Sequence, residues 1–253
     1  MRLLGRARSG AILALLFGAA ALGPAEAQLV RMDAIRWSLI VRSGEPFGGS
    51  TTLAPAGPLW IKWRALADSL ASEAAELARC RAEPATCTAS AQRLIDIIAQ
   101  ARLLDGRRKL AAVQQAVNLA LRYSSDSEQH GAPDVWLTPL AAFASGRGDC
   151  EDYAIAKFLA LREAGVAPAD LRILITHNRA DLSAHAVLAV RQEERWIILD
   201  NRRMGAIEDR HLLDLDPLYA LDDTGVRQFH PSPQRDLAAA ADASAAEALP
   251  SRP

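Results

Sequence analysis

Gly146-Arg147-Gly148-Asp149-Cys150-Glu151-Asp152-Tyr153-Ala154 leads into an apolar run through Ile155, Ala156, Phe158, Leu159 and Leu161 that ends at Gly165. The glycines loosen the chain just before a buried helix, so a single thiol sits where loop becomes helix. With Asp149 at the N-cap, Cys150 falls in the first turn. Asp152, three residues past the cap, approximates a capping box with Asp in place of the usual Glu or Gln. Exposed N–H groups and the positive end of the helix dipole there favour a thiolate. Asp149, Glu151 and Asp152 oppose it, because nearby negative charge raises a thiol's pKa. Two readings of these acids stay open: they complement the helix dipole, or they hold a cation. All-carboxylate ligands without a compact His/Cys cluster favour Ca²⁺ over zinc.

A nucleophilic cysteine needs a base, and the base needs an orienting group. Of His130, His177, His185, His211 and His230, His185 stands out. It opens the β-rich run Ala184 to Arg191, and the next run, Arg195 to Asp200, ends in an acid. A hairpin turn over Arg191 to Glu194, centred between Gln192 and Glu193, pairs His185 with Asp200. Residues opposed in this way have Cβ atoms ~4.5–5.5 Å apart on one face. A turn without Gly or Asn favours four residues over two. His177 is the reserve base.

Elsewhere the period is helical. Leu59 to about Cys80 carries Trp60, Trp63, Leu66, Leu70 and Leu77 at three- and four-residue steps, a core-anchoring stripe. Two more helices follow over Ser90 to Leu104 and Arg107 to Tyr123. Asn118, in the third, either bonds a neighbouring loop or faces solvent. Residues 124–138 read as a loop and Pro139 to Ala144 as one or two helical turns. After the nucleophile helix the period switches to β, with a further run at Leu171 to Thr176. Arg36 to Val41 reads as a short strand or turn inside an irregular wrap, and the chain after Pro217 as loops with one strand or turn near Val226 to Phe229.

The formal net charge of −1 excludes a nucleic-acid binder by charge. Arg2, Arg6 and Arg8, the apolar run Ala11 to Leu22 and Ala25-Glu26-Ala27 have the form of a secretory signal peptide, residues 1–27, cut before Gln28. No later apolar run reaches the ~20 residues a membrane span needs. In an oxidising compartment, Cys80 and Cys87, flanking Pro84, can close a disulfide loop between two helices, which leaves Cys150 free. Residues 28–235 then form the functional domain: a helical part to about 138, and the nucleophile helix with its sheet from about 139. The Ala-rich tail 236–253 has little to bury and reads as disordered.

Val117-Asn118, Trp136, Pro139, Gly148-Asp149-Cys150-Glu151-Asp152-Tyr153-Ala154, Gly165-Val166, Ala184-His185-Ala186-Val187 and Leu199-Asp200-Asn201 together resemble the bacterial transglutaminase-like cysteine proteinases, of the periplasmic LapG type. The resemblance implies an α+β, papain-like/transglutaminase-like fold with a helical N-terminal lobe and an antiparallel-sheet C-terminal lobe. It implies Cys150 as nucleophile, His185 as base and Asp200 as orienter. It also implies calcium dependence, with Asp149 and Glu151 as ligands and Asp152 as a third. Members of this type cut a large biofilm adhesin near its N-terminus, at a di-alanine-containing site, and are sequestered by the periplasmic domain of an inner-membrane cyclic-di-GMP receptor. The same thiol chemistry also serves a transglutaminase or amidase, and a non-catalytic calcium-responsive binding protein could retain the scaffold. The Cys80/Cys87 pair and the Ala-rich tail are not carried over from the family.

Overall fold

The computed structural model describes residues 41–230. The signal-peptide reading, the run before Val41 and the Ala-rich tail lie outside the described residues. Helices come first. α1 (Pro58–Ala82) buries Trp63, Leu66, Leu70 and Leu77, the stripe its spacing marks, and the indole of Trp63 meets Phe158 edge-on at 6.0 Å. α2 (Ala89–Arg102) starts at Thr88, whose hydroxyl accepts the Ala91 N–H. The Cys80–Cys87 disulfide staples it to α1. α3 (Gly106–Ala120) buries Leu110, Val113, Gln114 and Val117.

Between α3 and Cys150 the chain is not the plain loop that its loss of period suggests. Ser125 caps a short helix, α4 (Asp126–His130), in a reciprocal capping box with Glu128. α5 (Pro139–Ser145) ends at Gly146 in the left-handed conformation that glycine adopts without strain. α6 (Cys150–Glu163) has its whole run Glu151 to Leu161 buried, so it lacks an amphipathic period and forms the axis of the core.

An eight-stranded antiparallel sheet packs against α6. Its strands are β1 (Val41–Ser43), β2 (Ser50–Leu53), β5 (Leu171–Asn178), β6 (Ala184–Gln192), β7 (Arg195–Leu199), β8 (Ile207–Glu208), β9 (Leu215–Asp222) and β10 (Gly225–His230). They lie in the order β1-β2-β10-β9-β5-β6-β7-β8. Two further strands, β3 (Arg122–Tyr123) and β4 (Arg147–Gly148), form a separate parallel pair. Alternation sends Leu188, Val190, Ile197 and Leu199 into the helical core and Val187, Ala189, Trp196 and Ile198 into a second core on the opposite face. The α+β reading is therefore correct, with one difference in layout. Residues 41–53 precede the helices in sequence yet extend the sheet through β2 and β10.

β9 departs from the reading of loops after Pro217, since it runs through that proline in the middle of the sheet. The register between β5 and β9 shifts between Ile175 and Thr176, where Thr176 faces Pro217. A residue without an N–H is tolerated at such an irregularity because the regular ladder is already broken.

The hairpin β6–β7 is a second correction. Its loop is the two residues Glu193 and Glu194, both with positive φ (49° and 63°), as a type I′ turn requires, and not a four-residue loop. The observed pairs are Leu188 with Leu199 and Val190 with Ile197. This slides β7 by two residues from the expected register, so Asp200 is not directly opposite His185. An even slide preserves the face of every side chain.

Candidate active site

Three features hold Cys150 in place. Asp152 accepts the N–H of Asp149 at 3.2 Å and that of Leu137 at 2.8 Å, tying the first turn of α6 to the incoming chain and to the 131–138 segment. Gly148 makes this possible, because a Cβ there would lie 2.7 Å from the Asp152 side chain. The hydroxyl of Tyr153 donates to the carbonyl of Leu121 at 2.7 Å, anchoring α6 to the end of α3.

Despite the shifted register, His185 Nε2 lies 2.9 Å from Asp200 Oδ1, with both side chains buried. The preserved face explains the contact, because two residues of slide leave them diagonal neighbours. With Nε2 engaged, Nδ1 is the ring nitrogen left for another partner. Arg202 binds the same carboxylate through its backbone N–H at 2.9 Å and its guanidinium at 3.4 Å. Burial opposes ionisation of Asp200. The His185 hydrogen bond and charge, with Arg202, outweigh it and hold the carboxyl well below the usual range.

Gln114 and Asn118, one turn apart on α3, clamp the same turn. Gln114 donates to the carbonyl of Asp200 at 2.7 Å, and Asn118 to that of Arg203 at 2.9 Å. This decides the open reading of Asn118 in favour of the loop bond. Sequence reasoning passed over Gln114, although a glutamine within the stripe Leu110, Val113, Val117 was the available sign.

Cys150, His185 and Ala186 line a cleft of about 500 Å³ whose apolar wall includes Leu59, Trp136 and Ile175. The other four histidines do not line it; His177 lies on β5, in register with Ala184. Cys150 is the free cysteine among the described residues, and its thiol donates to Glu151 Oε2 at 3.1 Å. Burial first, then the Glu151 carboxylate, push the thiol up, while the Ala186 N–H pulls the other way.

The acids beside it form two overlapping groups. Asp149, Cys150 and Glu151 bring ligand atoms within 4.8 Å of one another, as do Asp126, Asp149 and Asp152. Asp126 was absent from the sequence reading. The Ser125/Glu128 capping signature could have placed it on a helix, but only the β3–β4 pairing brings it beside Asp149. Burial, then the hydrogen bond and charge of Glu151, push Asp149 up to about 8. Asp152 rises to about 7, by burial and the charge of Asp149. Asp149 Oδ1 is buried without a hydrogen-bond partner. An orphaned oxygen among crowded oxygen donors fits a hard cation.

No curated protein matches the chain. Among solved structures, Legionella pneumophila LapG treated with EGTA is 25% identical, with a TM-score of 0.51 over 59% of this chain and 82% of that one. The calcium-bound form of that protein is 22% identical, with a TM-score of 0.51 over 69% and 98%. The family model described as bacterial transglutaminase-like cysteine proteinase, BTLCP, matches residues 72–208. That span holds Cys150, His185 and Asp200 and covers more than half of the chain, which thus belongs to the bacterial transglutaminase-like cysteine proteinases.

Proposed function

We propose that the chain is a calcium-dependent periplasmic cysteine endopeptidase that cleaves the N-terminal region of a large cell-surface adhesin and so promotes biofilm release. The observation that carries this reading is the His185 Nε2–Asp200 Oδ1 contact at a cleft also lined by the free Cys150. His185 Nδ1 takes the thiol proton, and Asp200 stabilises the imidazolium and fixes its tautomer. Sγ attacks the peptide carbonyl, and the Cys150 N–H, which has no intrahelical acceptor in the first turn, faces the oxyanion. The imidazolium then protonates the leaving amine. Water, deprotonated by His185, hydrolyses the acyl-enzyme and restores the thiol.

Asp149, Glu151 and Asp152 would hold the calcium ion, joined by Asp126, whose carboxylate reaches Asp149 and Asp152. Its charge would offset the anions that oppose the thiolate. The calcium-bound form of the Legionella protein supports the choice of metal. A disulfide between Cys80 and Cys87 supports an oxidising compartment. A periplasmic domain of an inner-membrane cyclic-di-GMP receptor is the proposed regulatory partner.

The test is cleavage of an adhesin N-terminal fragment with and without a chelator. Cys150→Ala is expected to abolish cleavage while keeping the thermal transition, and chelation to suppress cleavage by the unaltered protein. A folded Cys150→Ala protein that still cuts would overturn the protease reading. Cleavage insensitive to chelation would remove the calcium dependence.

A further inference from the structure

The nucleophile helix carries a second chemical group that the reaction above does not use. Lys157, two turns beyond Cys150, is fully buried, and its Nζ has no hydrogen-bond partner. The Tyr153 ring lies 5.7 Å from its Nζ on the same helix, and that helix packs against β6, whose His185 bonds the carboxylate of Asp200. The other charged groups at that carboxylate are His185 on β6 and Arg202 and Arg203 in the following turn. α3 packs on the same helix and presents the uncharged Gln114 and Asn118 to the Asp200 turn.

Burying an ammonium without a partner is unfavourable, so a core position that keeps one does so at the expense of stability. The residue type is telling as well. The chain has three lysines, Lys62, Lys109 and Lys157, among 29 basic residues; the remaining basic residues are arginines. An arginine stays charged at every accessible pH, whereas a buried lysine can change its charge. Burial lowers Lys157 to about 7, opposed by the charge of Asp200, so it titrates in the range where a cysteine–histidine pair works.

We propose that Lys157 is a positioning residue for the His185–Asp200 pair, its buried amine setting the electrostatic potential at the carboxylate that orients the base. When charged, it draws on the same anion that stabilises the imidazolium and eases proton return from His185. When neutral, it leaves Asp200 to the imidazolium. The inference rests on the triad proposed above.

Cys150 provides a readout that needs no substrate, because it is the free thiol among the described residues. The rate of its alkylation by iodoacetamide, followed against pH with calcium present, reports the thiolate–imidazolium pair. Lys157→Met is expected to move that profile upward by about half a pH unit or more, with an unchanged or raised melting temperature. Lys157→Gln serves as the second variant. In the unaltered protein, ¹³C-lysine NMR should show one of three lysines titrating well below the other two, and moving lower still in Asp200→Asn. Should both variants fail to fold, the lysine titration decides the matter alone. Superimposable alkylation profiles, or a Lys157 that titrates with Lys62 and Lys109 or ignores Asp200→Asn, would overturn the proposal. Loss of alkylation on Cys150→Ala separates it from failure of the protease reading, which is judged by cleavage.

Discussion

Asp200 and Asp152 are both almost completely buried aspartates near one cleft, yet they titrate in opposite directions. Asp200 is ringed by an imidazole, two guanidinium groups and one backbone donor, the N–H of Arg202. Asp152 has N–H donors from Asp149 and Leu137, but its carboxylate neighbours are Asp149 and Asp126. One environment brings its own cations. The other gathers anions and leaves an acceptor unpaired.

The largest test of this contrast is Asp200→Ala, which removes the complete side. The expected loss is about 10²- to 10⁴-fold in kcat for fragment cleavage, with KM little altered, since the residue acts through His185. A variant that keeps the rate would show that the pair is only structural.

The incomplete side is tested by pH. In the metal-free protein Asp149 and Asp152 keep protons that the unfolded chain has already lost, so the folded state binds more protons between pH 4 and pH 8. Stability should therefore fall as pH rises through that window, reaching its full deficit above about pH 8. Asp200 acts oppositely, its contribution being present above the ordinary aspartate pKa and lost only in stronger acid. Scanning calorimetry in chelator should find the melting temperature on the order of 5 °C lower at pH 8 than at pH 5.5, and calcium should abolish the difference. A metal-free protein equally stable at both pH values would contradict the crowding of the acids.

The smallest effect concerns the turn that delivers Asp200. Replacing Glu193-Glu194 with Asn-Gly relieves two positive-φ residues and should stabilise the fold by about 1 kcal/mol. If the hairpin and the acidic cluster are separate devices, that gain adds to the gain from calcium. Non-additive unfolding free energies would show them coupled.

The two regions also differ in what they hold besides themselves. Asp126 accepts the N–H of Val135 and Asp152 that of Leu137, so the acids beside Cys150 also fasten the segment that carries Trp136 into the cleft wall. Order at the acidic cluster and the shape of the cleft therefore share the same hydrogen bonds.

Much of this was legible in residue order. The Trp63, Leu66, Leu70, Leu77 stripe marked α1 because helical period survives wherever one face is buried. Gly148-Asp149-Cys150 marked the start of α6 because caps and glycines act locally. The choice of His185 and Asp200 followed from β-strand parity, which tolerated an incorrect register because the slide was even. Pro217 misled because the irregularity that accommodates it, the extra residue Leu218 on β9, shows only in the pairing with β5, a strand distant in sequence. Asp126 was missed because its neighbours in sequence predict a loop and its neighbours in space come from residues 147–152.

Sequence alone determined the main helices, the free thiol at the start of α6 and the His185–Asp200 candidates, since those depend on propensities and spacing within a few turns. Only the tertiary structure decided which carboxylates face cations and which face each other. Charge balance at a buried site is a property of approach between distant segments, and in this chain it separates an aspartate held among cations from aspartates held against one another.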